Sequence, residues 1–337
     1  MNFNYSQEID SSVYETHGLD GDIPLRIHKD QHLEFKGALR AQRDWTKHVH
    51  NVDGYKGGLG DPFSFISVTV PECLPDRLEL ISYANEFAFL YDDKMESFDL
   101  KKDLKKEATK MLDAFGDGAL DRRVNAKSGP EKRLQAQMLS EMLALDPERA
   151  VTSMKAWAKF VQLASRTRSS AFETLDEYVP SRVIDAGELI WFGTLTFGMA
   201  LTIPDNEYEI CMEMARPGYA ALGLTNDLFS WEKERHDAME AGQDYVFNAI
   251  WVIMKEKSVT EAEAKIICCS EIEKYVSTFR QTVEETKHNS CLSKDLRTYL
   301  EAVLYSISGN LRHTGRLWLL FLVNMLVMGP FIPTVIV

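Results

Sequence analysis
The sequence predicts an all-α protein, a single helical bundle. Two observations carry this: apolar residues recur at helical spacing in one segment after another, and almost nothing alternates as a strand would. The connections are short, and the 337 residues, 45% of them apolar, suffice for a large core without a domain linker or internal repeat.

The first segment, to about Gln31, reads as extended or irregular. A helix follows over His32–His48, then a loop containing Gly54, Gly57, Gly58, Gly60 and Pro62. Helical spacing resumes from Pro75 to about Ser97. Residues 99–134, with Lys101, Lys102, Lys105 and Lys106, read as an exposed connection holding one short helix. Two helices follow over Glu131–Leu145 and Pro147–Tyr178, the second opened by Asp146 as N-cap. Pro180 is expected to break the chain, and Arg182–Thr202 to resume it. Another helix starts at Pro204 and ends near Arg216-Pro217-Gly218. The remaining helices are expected over Tyr219–Ala241, Tyr245–Lys257, Thr260–Lys287 and from Asp295 onward.

Composition excludes some functions. The net charge of −13, with no basic cluster to offset it, argues against a nucleic-acid partner. Five cysteines without metal-site spacing read as reduced thiols of a cytoplasmic protein, and the polar N-terminus is no signal peptide. The oligomeric state, a homo-oligomer included, is left open.

Chemistry concentrates in two stretches. Asn226, Ser230 and Glu234 are four residues apart, so each lies only about 40° further round a helix than the last. Their amide, hydroxyl and carboxylate oxygens form one polar stripe of hard ligands suited to Mg²⁺. Upstream, Asp92-Asp93-Lys94-Met95-Glu96 ends an apolar run, and its adjacent carboxylates repel unless a cation or solvent separates them. Either stretch alone is a common solvated helix face. Phe89, three residues before Asp92, lies one turn deeper on nearly the same face. Phe65 and Trp191 are further aromatic candidates, each also a plausible plain core residue.

Together the two stretches resemble the paired metal-binding motifs of class I terpene synthases. Pro71–Leu78, Ser82–Leu90 and Ser308-Gly309-Asn310 narrow the resemblance to the cyclase domain of fungal chimeric terpene synthases, over residues 1–316. The resemblance implies the class I terpenoid synthase fold and three Mg²⁺ ions held by Asp92, Asp93, Glu96, Asn226, Ser230 and Glu234. It implies a linear prenyl pyrophosphate as substrate, geranylgeranyl pyrophosphate first and geranylfarnesyl pyrophosphate second, cyclised with release of pyrophosphate. Arg182, 44 residues before Asn226, matches the pyrophosphate-sensing arginine, Asp185 the linker aspartate, and Ala186 the carbonyl effector in a helix break that Gly187 loosens. Lys233 matches a pyrophosphate-binding lysine.

The pattern departs in two places. Glu96 stands where many relatives have aspartate, which keeps the carboxylate. Near the C-terminus Arg316 can stand for the arginine of an Arg-Tyr pair, but Leu317 replaces the tyrosine. Residues 317–337 are an uncharged apolar tail with three open readings: a buried last helix plus tail, a membrane tail anchor, or translated intron from a mis-predicted gene end. Membrane contact is expected only if this tail is genuine. No second aspartate-rich motif follows residue 97, which disfavours a chain-elongating prenyltransferase on the same fold and implies a separate one supplying the substrate. A catalytically impaired relative is the remaining alternative.

Overall fold
Helices one after another are what the computed structural model of the chain contains. It describes residues 1–15, 17–96, 129–167 and 171–328, with the side chains of residues 92, 95, 96, 161, 164–167 and 313–328 outside that description. Among the described residues there are eleven α-helices and one two-stranded ribbon. The segment expected as an exposed connection lies mostly outside them.

The ribbon pairs β1 (Ser6–Glu8) antiparallel with β2 (Arg26–His28). Helix α1 (His32–His48) buries Glu34, Ala38, Ala41 and Trp45 on one face and packs on α3 (Pro75–Glu96). Gly37 allows this approach: a Cβ there would lie 2.1 Å from the Glu79 carbonyl oxygen. Between them comes α2 (Phe65–Thr69), a single short turn of helix.

Helices α4 (Pro130–Leu145) and α5 (Pro147–Thr167) follow, with Asp146 accepting the Arg149 N–H as the sequence predicts for an N-cap. The next stretch differs from expectation. Helix α5 ends at Thr167, and Tyr178 belongs to a separate helix, α6 (Leu175–Asp185), capped by Thr174. Pro180 lies inside α6. It removes one bond, to the Asp176 carbonyl, where both residues are exposed and water can take the group's place. The break falls instead at Ala186–Gly187, where Gly187 adopts the left-handed conformation (φ +88°) before α7 (Glu188–Gly198).

Pro217 does not end a helix either. Helix α8 (Tyr208–Glu240) runs 33 residues through it, and the bond it forfeits, to the Glu213 carbonyl, is again at an exposed residue. Gly218 is needed beside it, because a Cβ would meet the Phe279 ring at 2.8 Å. Helix α9 (Ala249–Lys257) starts later than expected, with Asn248 as its N-cap. The last two helices are α10 (Glu261–Thr286), opened by a Thr260–Glu263 capping box, and α11 (Lys294–Met328). Helix α8 packs on α10 and α11, α5 on α7, and α11 also covers α2. Among the described residues no helix is long and apolar enough to cross a membrane; the apolar tail's side chains lie outside them.

Candidate active site
The polar stripe forms as the spacing predicts. Asn226, Ser230 and Glu234 lie within α8, each half-buried, while their neighbour Asp227 is fully buried. Arg182, in the last turn of α6, comes onto the stripe from the side. Its Nη2 donates to Asn226 Oδ1 at 2.6 Å, its Nε to Asp227 Oδ1 at 2.7 Å and its Nη1 to Asp185 Oδ2 at 2.7 Å. Gly223, one turn before Asn226, makes room, since a Cβ there would sit 3.3 Å from the Arg182 side chain. Three of the guanidinium's five N–H groups are thus engaged.

Asp227 is the hub of this corner. Besides Arg182 it accepts the Tyr178 hydroxyl at 2.6 Å and the Ala249 N–H at 3.0 Å, both on Oδ2. Burial pushes its carboxyl up to about 6, with Arg182 and these donors pulling the other way. The Arg182 charge sits beside it, so the pair is an ion pair with its desolvation offset by hydrogen bonds on both partners.

The stripe fits a divalent cation. Ser230 Oγ is buried and has no hydrogen-bond partner, on a helix face between an amide and a carboxylate. An orphaned buried hydroxyl costs about 1–3 kcal/mol unless something meets it. An amide, a hydroxyl and one carboxylate are hard oxygen donors of the type Mg²⁺ takes, leaving most of its coordination to water or phosphate. Among the described residues no group of three His, Cys, Asp or Glu side chains is placed to hold a metal ion.

The aromatic candidates also converge. The Phe65 ring lies 5.6 Å from both Phe89 and Trp191, tilted at 52° and 55°. Trp191 Nε1 donates to Ser306 Oγ at 3.0 Å, which spares the indole an unmet donor. Trp191 stands in the first turns of α7, directly across the Gly187 break from Arg182 and Asp185. One left-handed residue therefore joins the polar corner to the aromatic wall. Phe65 is held through its backbone: its N–H donates to the Gly58 carbonyl at 2.8 Å, and Gly58 N–H donates to Glu86 Oε2 at 2.9 Å.

The structure therefore brings together Arg182, Asp185 and Asn226, with Ser230 and Glu234 on the same stripe, and Phe65, Phe89 and Trp191 in a second group. Lys233 is different: it is exposed, with its ammonium 3.9 Å from Asp237. Asp93 is exposed in the last turn of α3, and Ala186 is an exposed residue at the helix break. The side chains of Asp92, Glu96 and Arg316 lie outside the described residues. Asp227, Asn248, Tyr178, Glu34 and Glu86 are absent from the sequence-based set. Asn248 carried a signal, an N-cap residue before the apolar run Ala249–Ile253; the others owe their roles to long-range packing.

An all-α bundle with a hard-oxygen stripe, an adjoining arginine and an aromatic wall defines the class I terpenoid synthase fold. Aristolochene synthase from Penicillium roqueforti superposes with a TM-score of 0.66 at 17% identity, covering 82% of this chain and 92% of that one. For α-eudesmol synthase the TM-score is 0.62 at 20% identity, covering 88% and 98%. The chain belongs to the terpene synthases: residues 83–278 match the family described as terpene synthase family 2, C-terminal metal binding. Fusicoccadiene synthase of Phomopsis amygdali is 46% identical over 318 residues, 92% of this chain and 44% of that protein. A bifunctional sesterterpene synthase of Aspergillus aculeatus is 42% identical over 312 residues, 92% and 44%. The chain spans less than half the length of these curated relatives.

Proposed function
We propose that the chain is a Mg²⁺-dependent terpene cyclase that ionises a linear prenyl pyrophosphate and closes the resulting carbocation into rings. Geranylgeranyl pyrophosphate is the preferred substrate and geranylfarnesyl pyrophosphate the second. One relative is named a type I diterpene synthase and another a sesterterpene synthase, products of those two chain lengths. The observation that carries the reading is the buried, partnerless Ser230 hydroxyl on the Asn226–Glu234 stripe, with the Arg182 guanidinium bonded to Asn226.

Asn226, Ser230 and Glu234 would hold the cation, with Asp92, Asp93 and Glu96 as the second set from α3. When bound, Mg²⁺ supplies positive charge to the departing pyrophosphate. Arg182 contributes a fixed charge beside the same stripe, already oriented by Asp185 and Asp227, so little reorganisation accompanies bond breaking. Phe65, Phe89 and Trp191 present ring faces to the hydrocarbon, each able to stabilise a cation by about 0.5–2 kcal/mol. None of the three carries a nucleophile to quench it.

The test is incubation of purified protein and Mg²⁺ with C10, C15, C20 and C25 prenyl pyrophosphates in turn, read by gas chromatography–mass spectrometry. A cyclic hydrocarbon from the C20 substrate is expected. Replacing a metal ligand costs at least what loss of its supporting hydrogen bond does, so Ser230→Ala should lower turnover on the order of 10–100-fold or more. No hydrocarbon from any chain length, or full turnover by Ser230→Ala, would overturn the proposal.

A further inference from the structure
Asn248 precedes the apolar run of α9, and as an N-cap its Oδ1 accepts the Ile250 N–H at 2.8 Å. A cap needs only that oxygen; serine, threonine or aspartate would serve as well. Asn248 does more. It is fully buried, and its Nδ2 donates to the Asp227 carbonyl at 2.8 Å and to Glu234 Oε2 at 3.0 Å. Both amide hydrogens are thus spent on α8, on two residues seven positions apart, while the oxygen is spent on α9. In an α-helix the Asp227 carbonyl lies in the backbone ladder, so the amide adds a second bond to an acceptor already in use. The next residue repeats the docking, with Ala249 N–H on Asp227 Oδ2 at 3.0 Å.

We infer that Asn248 is a positioning residue for Glu234: the first turn of α9 sets the carboxylate that completes the Asn226–Ser230–Glu234 stripe. Glu234 is only half-buried, and a glutamate in that position has three side-chain torsions free to wander. The Asn248 amide is anchored at its oxygen and at one hydrogen, so its other hydrogen is a fixed donor. Holding Oε2 there orders the side chain and leaves Oε1 outside this bond. Hydrogen-bond partners of ligating carboxylates typically govern metal affinity by about 10–100-fold. The inference rests on the reading that Glu234 holds a cation.

Two substitutions separate the cap from the donor. Asn248→Asp keeps an oxygen for Ile250 but sets a carboxylate against Glu234. Asn248→Ser keeps a capping oxygen on a side chain too short to reach Glu234. The measurement is Mn²⁺ binding in the presence of inorganic pyrophosphate, by isothermal titration calorimetry, with metal-free thermal melting beside it. Both variants should melt within about 8 °C of the parent without metal, and the serine variant, which adds no charge, should bind Mn²⁺ about 10–100-fold more weakly. Binding equal to the parent overturns the inference while the metal site stands. Loss of the metal-free melting transition in the serine variant also overturns it, by showing that Asn248 serves the fold alone. A parent that binds no Mn²⁺ with pyrophosphate removes the metal site itself, and this inference with it.

Discussion
Asp227 and Glu34 do the same job in two parts of the molecule, with different company. Each is a buried carboxylate on one helix that accepts backbone N–H groups from the start of another. Asp227 on α8 takes Ala249 of α9, and Glu34 on α1 takes Ile66 and Ser67 of α2, each at 2.7 Å. Asp227 also has Arg182 at 2.7 Å. Glu34 has amide donors but no ion pair with a basic side chain among the described residues, and another buried carboxylate, Glu86, adds to its burden; burial pushes its carboxyl up to about 7. The difference teaches that the polar corner is a charge-matched unit, which fails when one member goes. The aromatic side is held by dipoles, and its support can be neutralised at lower cost.

The strongest test of that contrast is Arg182→Ala. It leaves Asp227 buried without its cation, and breaking such a pair costs about 3–5 kcal/mol. Urea denaturation should show the loss, and Asp227→Asn added to it should recover part. Full additivity of the two changes would contradict the charge-matched unit.

Glu34→Gln is the milder counterpart, at about 1–3 kcal/mol, and it carries a pH signature. A carboxyl raised to about 7 in the folded state binds its proton more tightly there than in the unfolded chain. The contribution is therefore present below about pH 4.5 and is lost as pH rises through about 7. Relative to Glu34→Gln, the parent should lose stability across that window, and a gain with rising pH would contradict the assignment.

The smallest effect is expected at the wall. Trp191→Phe keeps a ring near Phe65 but removes the bond to Ser306, for about 0.5–1.5 kcal/mol, read as a modest drop in melting temperature.

The sequence made the polar stripe legible because a period of four on a helix is a local property, and so is the weakness of a helix at Asp185-Ala186-Gly187. The fold class was legible for the same reason. Pro180 and Pro217 misled, because a proline's lost hydrogen bond matters little where the freed carbonyl meets water. Asp227 sat in plain view beside Asn226 but gave no sign of being the hub. Its partners Tyr178, Arg182 and Ala249 come from two other helices, and only packing brings them together. Glu34 and Glu86 likewise look like surface glutamates of amphipathic helices until α2 and the glycine loop close over them. Gly309 has a clearer cause in the structure than in the Ser308–Asn310 motif: its missing side chain lets α11 press on α2, where a Cβ would lie 2.3 Å from the Val68 carbonyl oxygen.

Helix α2 has five residues, too few to hold its own shape in water. Glu34 fixes its start, Gly309 and Ser306 press or bond against its end, and Gly58, tethered by Glu86, receives the Phe65 N–H. Phe65 thus rides on a borrowed element. Substitutions on α1, α3 and α11 would therefore move that ring through its supports, a different adjustment from replacing the ring itself.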